Sequence, residues 1–512
     1  MQIAVEEQLS PATPTAGSPR SRGLLRIVFS FPVVRIALLT VLTVLTVRSR
    51  FSDSDLWWHL KTGEIIWKTH AIPRVDLFSF TTNQHAYTPH EWLAQLSIYA
   101  AYFLGGYSGI MLWLCVFASL IPITGYALCW SYSGNRKIAF LGALGIWLFA
   151  TVGFSARPQL AGYLCLLCEL LIVCLGRSKS PKWFMALPVL FVIWVNLHGS
   201  FFLGFIALAI IMCCACIDFR LGLLESQRWT TRERKMLAAA IALSFAALFV
   251  NPVGLSQVTY PINTLFSQPI GLQSSIEWQP APMNDIRLWA MFGSAALVLT
   301  LPLLTRAVLR LEELLLLGVG FVLAVQHHRM FFVFGILVMP SLCRMLAAAW
   351  NQNKADRDSV LVHMVMLGFA VIPIVLGFPN SRDLADQVKK ANPVKAVQFI
   401  RDSGLSGRML NQYVYGGYLI WAVPEHKVFI DGRADVYEWT DVFGDYMDWT
   451  NIKTAPGFLL DKHHIDFCVL SREEAITRVL PLLPGWKTVY SDEMSIIFAR
   501  SDSGQKYPSS TP

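Results

Sequence analysis

Eleven apolar stretches, most near the length that crosses a lipid bilayer, dominate this chain of 512 residues. A span takes roughly 20 apolar residues, fewer where loops sit at the interface. The first stretch ends near Val47, with Arg26 and Arg35 at its start. The others fall at about 108–130, 138–154, 160–176, 183–195, 201–217, 236–250, 288–304, 311–326, 330–350 and 359–377. No small-residue cleavage site follows the first, so it reads as an anchor rather than a signal peptide. Hydrophobic residues make up 54% of the chain and charged residues 15%, and the mean hydropathy is +0.48. Those values exclude a disordered chain, a coiled coil and an ordinary cytosolic enzyme. The expected fold class is an α-helical polytopic membrane protein of about eleven transmembrane helices.

The positive charge follows the loops. The net charge of +8 is uneven: residues 380–512 hold 15 Lys/Arg against 17 Asp/Glu, so the excess base lies in the apolar part. Alternate loops carry Arg136/Lys137, Arg177/Lys179/Lys182, Arg220/Arg228/Arg232/Arg234/Lys235, Arg306/Arg310 and Arg344/Lys354/Arg357. The loops between them hold mainly Arg157, Arg287 and Arg329. This is a positive-inside pattern, and it argues membrane topology rather than contact with nucleic acid. It places the N-terminus in the cytoplasm of a cell with this protein in its inner (plasma) membrane. Residues 1–22, rich in Pro, Ser and Thr, read as a disordered cytoplasmic tail. Residues 23–379 form the multi-span part, with a large first outer loop at 48–107. Residues 380–512 read as a small extracytoplasmic α/β domain, with strands at Val428–Ile430, 467–470, 487–490 and 495–499 and helices at 393–403 and 473–480. Nine of the ten cysteines lie in the apolar part and suit small packing residues better than a disulfide framework.

With the topology drawn, the unusual polar residues collect on the outer side. The first outer loop reads Asp53-Ser-Asp55-Leu-Trp57-Trp58-His59 and reaches Pro89-His90-Glu91-Trp92. Later outer turns bring Arg157-Pro-Gln159, His198, Asn251, Glu277-Trp278 and His327-His328-Arg329. Charged groups at membrane depth are expensive and usually face a cavity. Convergence on one external pocket accounts for their recurrence at one face. Each has a plainer role too. Asp53 and Asp55 suit the N-cap of a helix starting at Leu56, although capping takes one acid. Trp57, Trp58 and Trp92 fit an interfacial belt as well as sugar stacking. Arg157 fits snorkelling to a headgroup, and His198 a hydrogen-bonded helix end. Residues 91–104 suit an amphipathic helix lying on the membrane surface. Glu169, inside a span, suits a helix–helix hydrogen bond.

Paired acids deprotonate a hydroxyl or hold a divalent cation against a phosphate. Arginine and histidine neutralise a phosphate leaving group. Aromatics suit sugars. An opening between spans suits a lipid-linked substrate. Together they point to sugar transfer from a polyprenyl phosphate.

The plan resembles the GT-C glycosyltransferase superfamily. Those proteins have many spans, an acidic motif in the first outer loop, amphipathic helices there and, in some members, a C-terminal extracytoplasmic domain. Relatives include protein O-mannosyltransferases, the aminoarabinose transferase of lipid A, oligosaccharyltransferase catalytic subunits and Rgt-like bacterial transferases. Asp55, followed by Leu-Trp-Trp-His59, is similar in placement to the Asp-Glu-x-His/Arg-aromatic pattern of the mannosyl- and aminoarabinose transferases. Leu56 replaces the Glu, and the second acid, Asp53, lies upstream. The resemblance implies catalytic roles for Asp55, Asp53, His59 and Glu91. It implies phosphate binding by Arg157, His198, His327, His328 and Arg329, and sugar or interface contacts by Trp57, Trp58 and Trp92. It leaves open a divalent cation on Asp53 and Asp55, and it requires no other cofactor. The tail motif Asn411-x-Tyr-x-Tyr-Gly-Gly-Tyr-Leu-Ile-Trp421 and Val428-Phe-Ile-Asp-Gly-Arg433 carries no assigned role. Gly416, Gly417 and Gly432 suit turns there and Asp431 and Arg433 an ion pair; the alternative is that these residues line an acceptor cleft. The implied partners are membrane lipid, a polyprenyl-phosphate sugar donor and a glycan, lipid or protein acceptor. The rival readings are a transporter or flippase of a lipid-linked or anionic substrate, an O-antigen ligase- or polymerase-like enzyme, and a scaffold for the tail.

Overall fold

The computed structural model describes residues 30–501 apart from 83–84, 268–275, 306, 351–358 and 438. The N-terminal tail 1–22 and the loop bases Arg306, Lys354 and Arg357 lie outside the described residues. A helix falls on each apolar stretch. In chain order the first seven helices are α1 (Phe31–Val47), α2 (Leu56–Thr69), α3 (Trp92–Ser133), α4 (Arg136–Ala150), α5 (Gln159–Ser178), α6 (Leu187–Leu197) and α7 (Phe201–Cys216). Strands β1 (Phe219–Leu221) and β2 (Leu224–Ser226) follow, then α8 (Thr231–Ala247), α9 (Leu255–Ser267), α10 (Ile286–Thr305) and β3 (Leu309–Arg310). The membrane part closes with α11 (Leu311–Gln326), α12 (Phe331–Ala349) and α13 (Val360–Gly377).

Among the described residues, six helical segments are long and apolar enough to cross a membrane: α3, α4 with the turn after it, α5, α10, α12 with the turn before it, and α13. Helices α1 and α7, and α6 with the turn before it, are apolar but shorter. Helix α8 opens on Thr-Arg-Glu-Arg-Lys and α11 on Leu-Glu-Glu, so charge shortens the apolar run of both. Helices therefore fall on all eleven expected stretches, but length and composition qualify six segments as membrane spans among the described residues. Helix α12 is central, with 83% of its apolar window buried against 11% for α13, which leaves α13 with an open apolar face. Such a face suits lipid, since exposed apolar area of this extent is disfavoured in water.

The expected amphipathic arm is the first part of α3. Its axis breaks at Gly105 and Gly106. Gly106 sits at φ +58°, a conformation that a side chain disfavours. The break separates the arm at 92–104 from the span behind it.

The basic loops gather at one end of the helices. There β1 and β2 pair antiparallel, β2 and β3 pair parallel, Arg177 meets Glu312 at 2.7 Å, and Arg344 meets Glu313. The polar turns at 157, 198, 277 and 329 lie at the other ends of the same helices. Glu169 stands between, fully buried, and neither of its carboxylate oxygens has a hydrogen-bond partner among the described residues. The expected interhelical hydrogen bond is absent from it.

The C-terminal segment adds α14 (Ser381–Ala391), α15 (Val394–Ser403), β4 (Met409–Asn411), α16 (Gly416–Ala422), α17 (Ala434–Tyr437), α18 (Val442–Thr450) and α19 (Pro456–Lys462). Strands β5 (Phe467–Ser471), β6 (Trp486–Ser491) and β7 (Ser495–Arg500) complete a four-stranded sheet in the order β4-β5-β7-β6. Strands β4 and β5 run parallel; β5 with β7 and β7 with β6 run antiparallel. Three expected strands and the helix at 393–403 are found. In place of the expected helix at 473–480 lie two 3-10 turns, Ala475–Arg478 and Leu480–Leu482. Val428–Ile430 joins no sheet. Its backbone is held by the Asn411 side chain, which accepts from Phe429 N at 2.8 Å and donates to Ile430 O at 2.7 Å. An isolated bridge ties Val428 to Ser79 of the first outer loop.

That loop and the tail are locked by charge. Buried Arg433 binds Asp76 at 2.7 Å and Asp431 at 2.6 Å, and the Tyr437 hydroxyl donates to Asp431 at 2.7 Å. Burial opposes ionisation of Asp76, but Arg433, Ser79, Thr82 and the Phe78 N–H outweigh it and hold its carboxyl down at about 2. The Asp431–Arg433 pair expected within the tail is thus part of a three-membered bridge to residue 76.

Candidate active site

A cavity of about 800 Å³ opens where the outer turns meet the C-terminal segment. Asp55, Trp58 and His59 enter it from the start of α2 and Glu91 from the start of α3. Arg157 comes from the turn before α5, His198 from the end of α6 and Arg329 from the turn before α12. Turns distant in sequence thus converge as the topology requires.

Charge alternates across the cavity wall. Arg157 meets three carboxylates: Asp53 through Nε at 2.7 Å, Asp55 through Nη1 at 3.1 Å and Glu277 through Nη1 at 2.9 Å. The other oxygen of Glu277 lies 3.7 Å from Arg329. Arg329 also donates to Gln159 at 3.3 Å and stacks on Trp278 at 4.8 Å. Asp53 accepts the backbone N–H of Asp55 at 2.9 Å, so its side chain sets the turn that presents Asp55. Burial pushes the Asp55 carboxyl up; Arg157 opposes this and Asp53 and Glu277 add to it, leaving it at about 6. Such a group is ionised at neutral pH yet basic enough to take a proton.

Glu91 is ringed by imidazoles. His198 Nε2 lies 3.3 Å from Oε1, His90 Nε2 3.7 Å from Oε1, and His59 Nδ1 3.7 Å from Oε2. The other contacts assign the tautomers. His198 Nδ1 accepts from Ser200 N at 3.0 Å, so its Nε2 carries the proton. His90 Nδ1 faces the Thr88 carbonyl at 3.3 Å and must donate, so its Nε2 is a lone pair. His59 Nδ1 lies 3.2 Å from the Gln95 amide nitrogen and accepts from it. The His198 N–H and the His90 lone pair therefore both face Oε1 of Glu91, while the His59 lone pair is taken by Gln95. Burial pushes Glu91 up to about 8 against the pull of Arg329, with Asp55 and Asp435 adding to the rise. Burial lowers His90 to about 4 and holds His59 and His198 below their ordinary range, so all three are neutral at pH 7.

Other expected site residues do not line the cavity. Asp53 lies behind Arg157. Trp57 is fully buried against Tyr107 and Tyr418. Trp92 donates to Asn196 at 2.8 Å, pinning α3 to α6. His327 binds the Trp278 carbonyl at 2.7 Å. His328 meets Asp285 at 2.8 Å and Arg287 at 3.1 Å in a separate cluster. Of the dense His-His-Arg run, Arg329 alone reaches the cavity.

Sequence reasoning did not select Glu277, Tyr260, Asp435, Gln412 or Tyr413, which also line it. Tyr260 stacks on His90 at 3.6 Å and its hydroxyl lies 3.2 Å from Asp435. Glu277 stood among the outer polar turns, which was its signal. Tyr413 stood in the tail motif, for whose residues an acceptor cleft was the alternative reading; Tyr260, Asp435 and Gln412 gave no signal, since nothing in the linear pattern places them beside residue 55.

The option of a divalent cation on Asp53 and Asp55 meets a guanidinium already between them. Among the described residues no group of three or more His, Cys, Asp or Glu is arranged to hold a metal ion. As folded, this donor set does not fit a divalent cation.

No family model and no curated protein matches the chain. Solved structures do. An oligosaccharyltransferase of Archaeoglobus fulgidus, tethered with an acceptor peptide, is 12% identical across 87% of this chain and 70% of that one, with a TM-score of 0.53. ArnT from Cupriavidus metallidurans bound to undecaprenyl phosphate is 11% identical across 95% of this chain and 99% of that one, at 0.50. The arabinofuranosyltransferase AftD from Mycobacteria is 12% identical across 91% of this chain and 41% of that one, at 0.51. The chain shares its fold with these three transferase structures. At these identities the likeness is one of fold, and it fits a multi-pass membrane protein. The cavity lies at the loop ends of the helices, against the C-terminal segment.

Proposed function

We propose that this protein is a glycosyltransferase that moves a sugar from a polyprenyl-phosphate donor to an acceptor hydroxyl at the outer face of the inner membrane. The observation that carries the reading is the meeting of Asp55 with Arg329 in one cavity. Ionised Asp55 takes the proton of the acceptor hydroxyl, and that oxygen attacks the anomeric carbon. The bond from the anomeric carbon to the phosphate oxygen breaks, and its electron pair leaves with the polyprenyl phosphate. Arg329, whose nearest carboxylate is 3.7 Å away, meets the phosphate charge. Neutral His198 gives its one N–H to Glu91 and so supports that carboxyl rather than the phosphate. Arg157 is engaged by carboxylates and serves the acids rather than the phosphate.

ArnT binds undecaprenyl phosphate in its solved complex, which supports a lipid-phosphate donor here. The clustering of polar residues at one end of the helices supports a transferase over a transporter, whose site would sit near the midplane. The basic loops at the other end support a cytoplasmic N-terminus and an outward-facing cavity and C-terminal domain.

Mass spectrometry of lipid-linked sugars in the native host tests the reading. One polyprenyl-phosphate sugar accumulates in a deletion strain and in an Asp53→Asn/Asp55→Asn strain. Accumulation in the deletion alone rejects the acids as catalytic. No change in either favours a transporter or scaffold.

A further inference from the structure

We propose that the Arg157 guanidinium is a built-in cation, standing where a divalent ion would bridge Asp53 and Asp55, so that the site works without metal. One side chain reaches three carboxylates within 3.1 Å, and those acids come from two separate outer segments. Asp53 Oδ1 receives both Arg157 Nε and the Asp55 backbone N–H, so the lone pairs of that oxygen are taken. Glu277 turns one oxygen to Arg157 and the other towards Arg329. A divalent ion entering here would lose these ligands to a guanidinium and sit beside a like charge. Arginine stays protonated at any physiological pH and its fork is rigid. The cation is therefore always present, and it holds Asp55 in one orientation. Arg157 is a positioning residue for the acid that faces the substrate. Its service to transfer rests on the glycosyltransferase reading; its filling of the cation position does not.

The test is Mn²⁺ binding to the purified full-length protein, followed by the electron paramagnetic resonance of free Mn²⁺. Wild type shows no saturable site that depends on Asp53 and Asp55. Arg157→Ala opens the carboxylate cluster and binds one equivalent at least about tenfold more tightly than wild type. Adding Asp53→Asn to that variant removes the gain. Arg157→Lys, which keeps a positive charge, behaves like wild type. A wild-type Mn²⁺ site lost in Asp53→Asn/Asp55→Asn overturns the proposal. So does an Arg157→Ala variant that melts as a folded protein and gains no site. The wild-type titration decides on its own should the alanine variant not fold. In parallel, a chelator leaves wild-type transfer unchanged. Absence of transfer under every condition counts against the glycosyltransferase reading and leaves the Mn²⁺ result standing.

Discussion

Gly432 lies directly against the carboxylate of Asp55: a Cβ on this glycine would overlap Asp55 Oδ1. Two neighbours repeat the pattern, since Gly417 lies against the Ser54 carbonyl and Gly416 against that of Ile430. At Gly417 and Gly432 the tail thus closes over the first outer loop with backbone where side chains would intrude, while Gly416 does the same within the tail. Gly432→Ala forces the Asp55 side chain to move. A displacement of this size at a reacting group lowers transfer on the order of 100-fold. The melting temperature moves little, because the flexible end of Asp55 gives way first. Parallel transfer assays and melting curves check this.

The pH dependence follows from two carboxyls. Asp55 acts ionised and sits at about 6, so the rate falls as pH drops through 6. Glu91 sits at about 8 and is protonated at neutral pH, so loss of that proton lowers the rate above pH 8. Glu91→Gln keeps a neutral side chain of similar shape. It removes the upper limb and leaves the lower one in place, as a rate profile from pH 5 to 9 will show.

Arg329→Ala removes the cation assigned to the leaving phosphate. Charge-assisted hydrogen bonds of this kind contribute about 1.5–3 kcal/mol, or roughly 10–150-fold in kcat/KM. Arg329→Lys restores part of the loss. Truncating His328, which faces Asp285 outside the cavity, leaves kcat/KM within about threefold of wild type.

The buried bridge of Arg433 with Asp76 and Asp431 holds the tail to the loop. Arg433→Ala leaves two buried carboxylates uncompensated and costs about 3–5 kcal/mol. Limited proteolysis then cuts the C-terminal segment faster. The folded pKa of Asp76 lies below its ordinary value, so its contribution is full above about pH 4 and is lost as pH falls towards 2. That contribution is about 2 kcal/mol, readable as a drop in melting temperature across the same range.

The membrane class, the positions of the helices and the side on which polar residues gather were legible in the sequence. Apolar run length and the alternation of Lys/Arg between loops are local signals, and each survives without tertiary information. The acids at 53 and 55 could be picked out for the same reason, as two carboxylates beside Trp57-Trp58-His59 exceed what a helix cap needs. Their division of labour was not legible: whether Asp53 faces the cavity or Arg157 depends on a turn from residue 157. The run His327-His328-Arg329 shows the limit clearly. Three polar residues in a row leave the helix end in three directions, and packing against Trp278 and Asp285 takes the two histidines. The tail motif carried a cleft wall as one of its two readings; what it did not carry is that Gly432 acts by lacking a side chain beside Asp55, which lies far upstream in the chain.

The central claim is that Asp55 is the base of a transfer from a lipid phosphate. The direct measurement is release of polyprenyl phosphate from a polyprenyl-phosphate sugar by purified protein in liposomes, wild type against Asp55→Asn. A positioned general base contributes about 10²–10⁴-fold, so the variant should lose at least about 100-fold. It should melt no lower than wild type, since a buried carboxylate held above its ordinary pKa destabilises the fold at pH 7. A folded Asp55→Asn protein that releases polyprenyl phosphate at the wild-type rate would contradict the account.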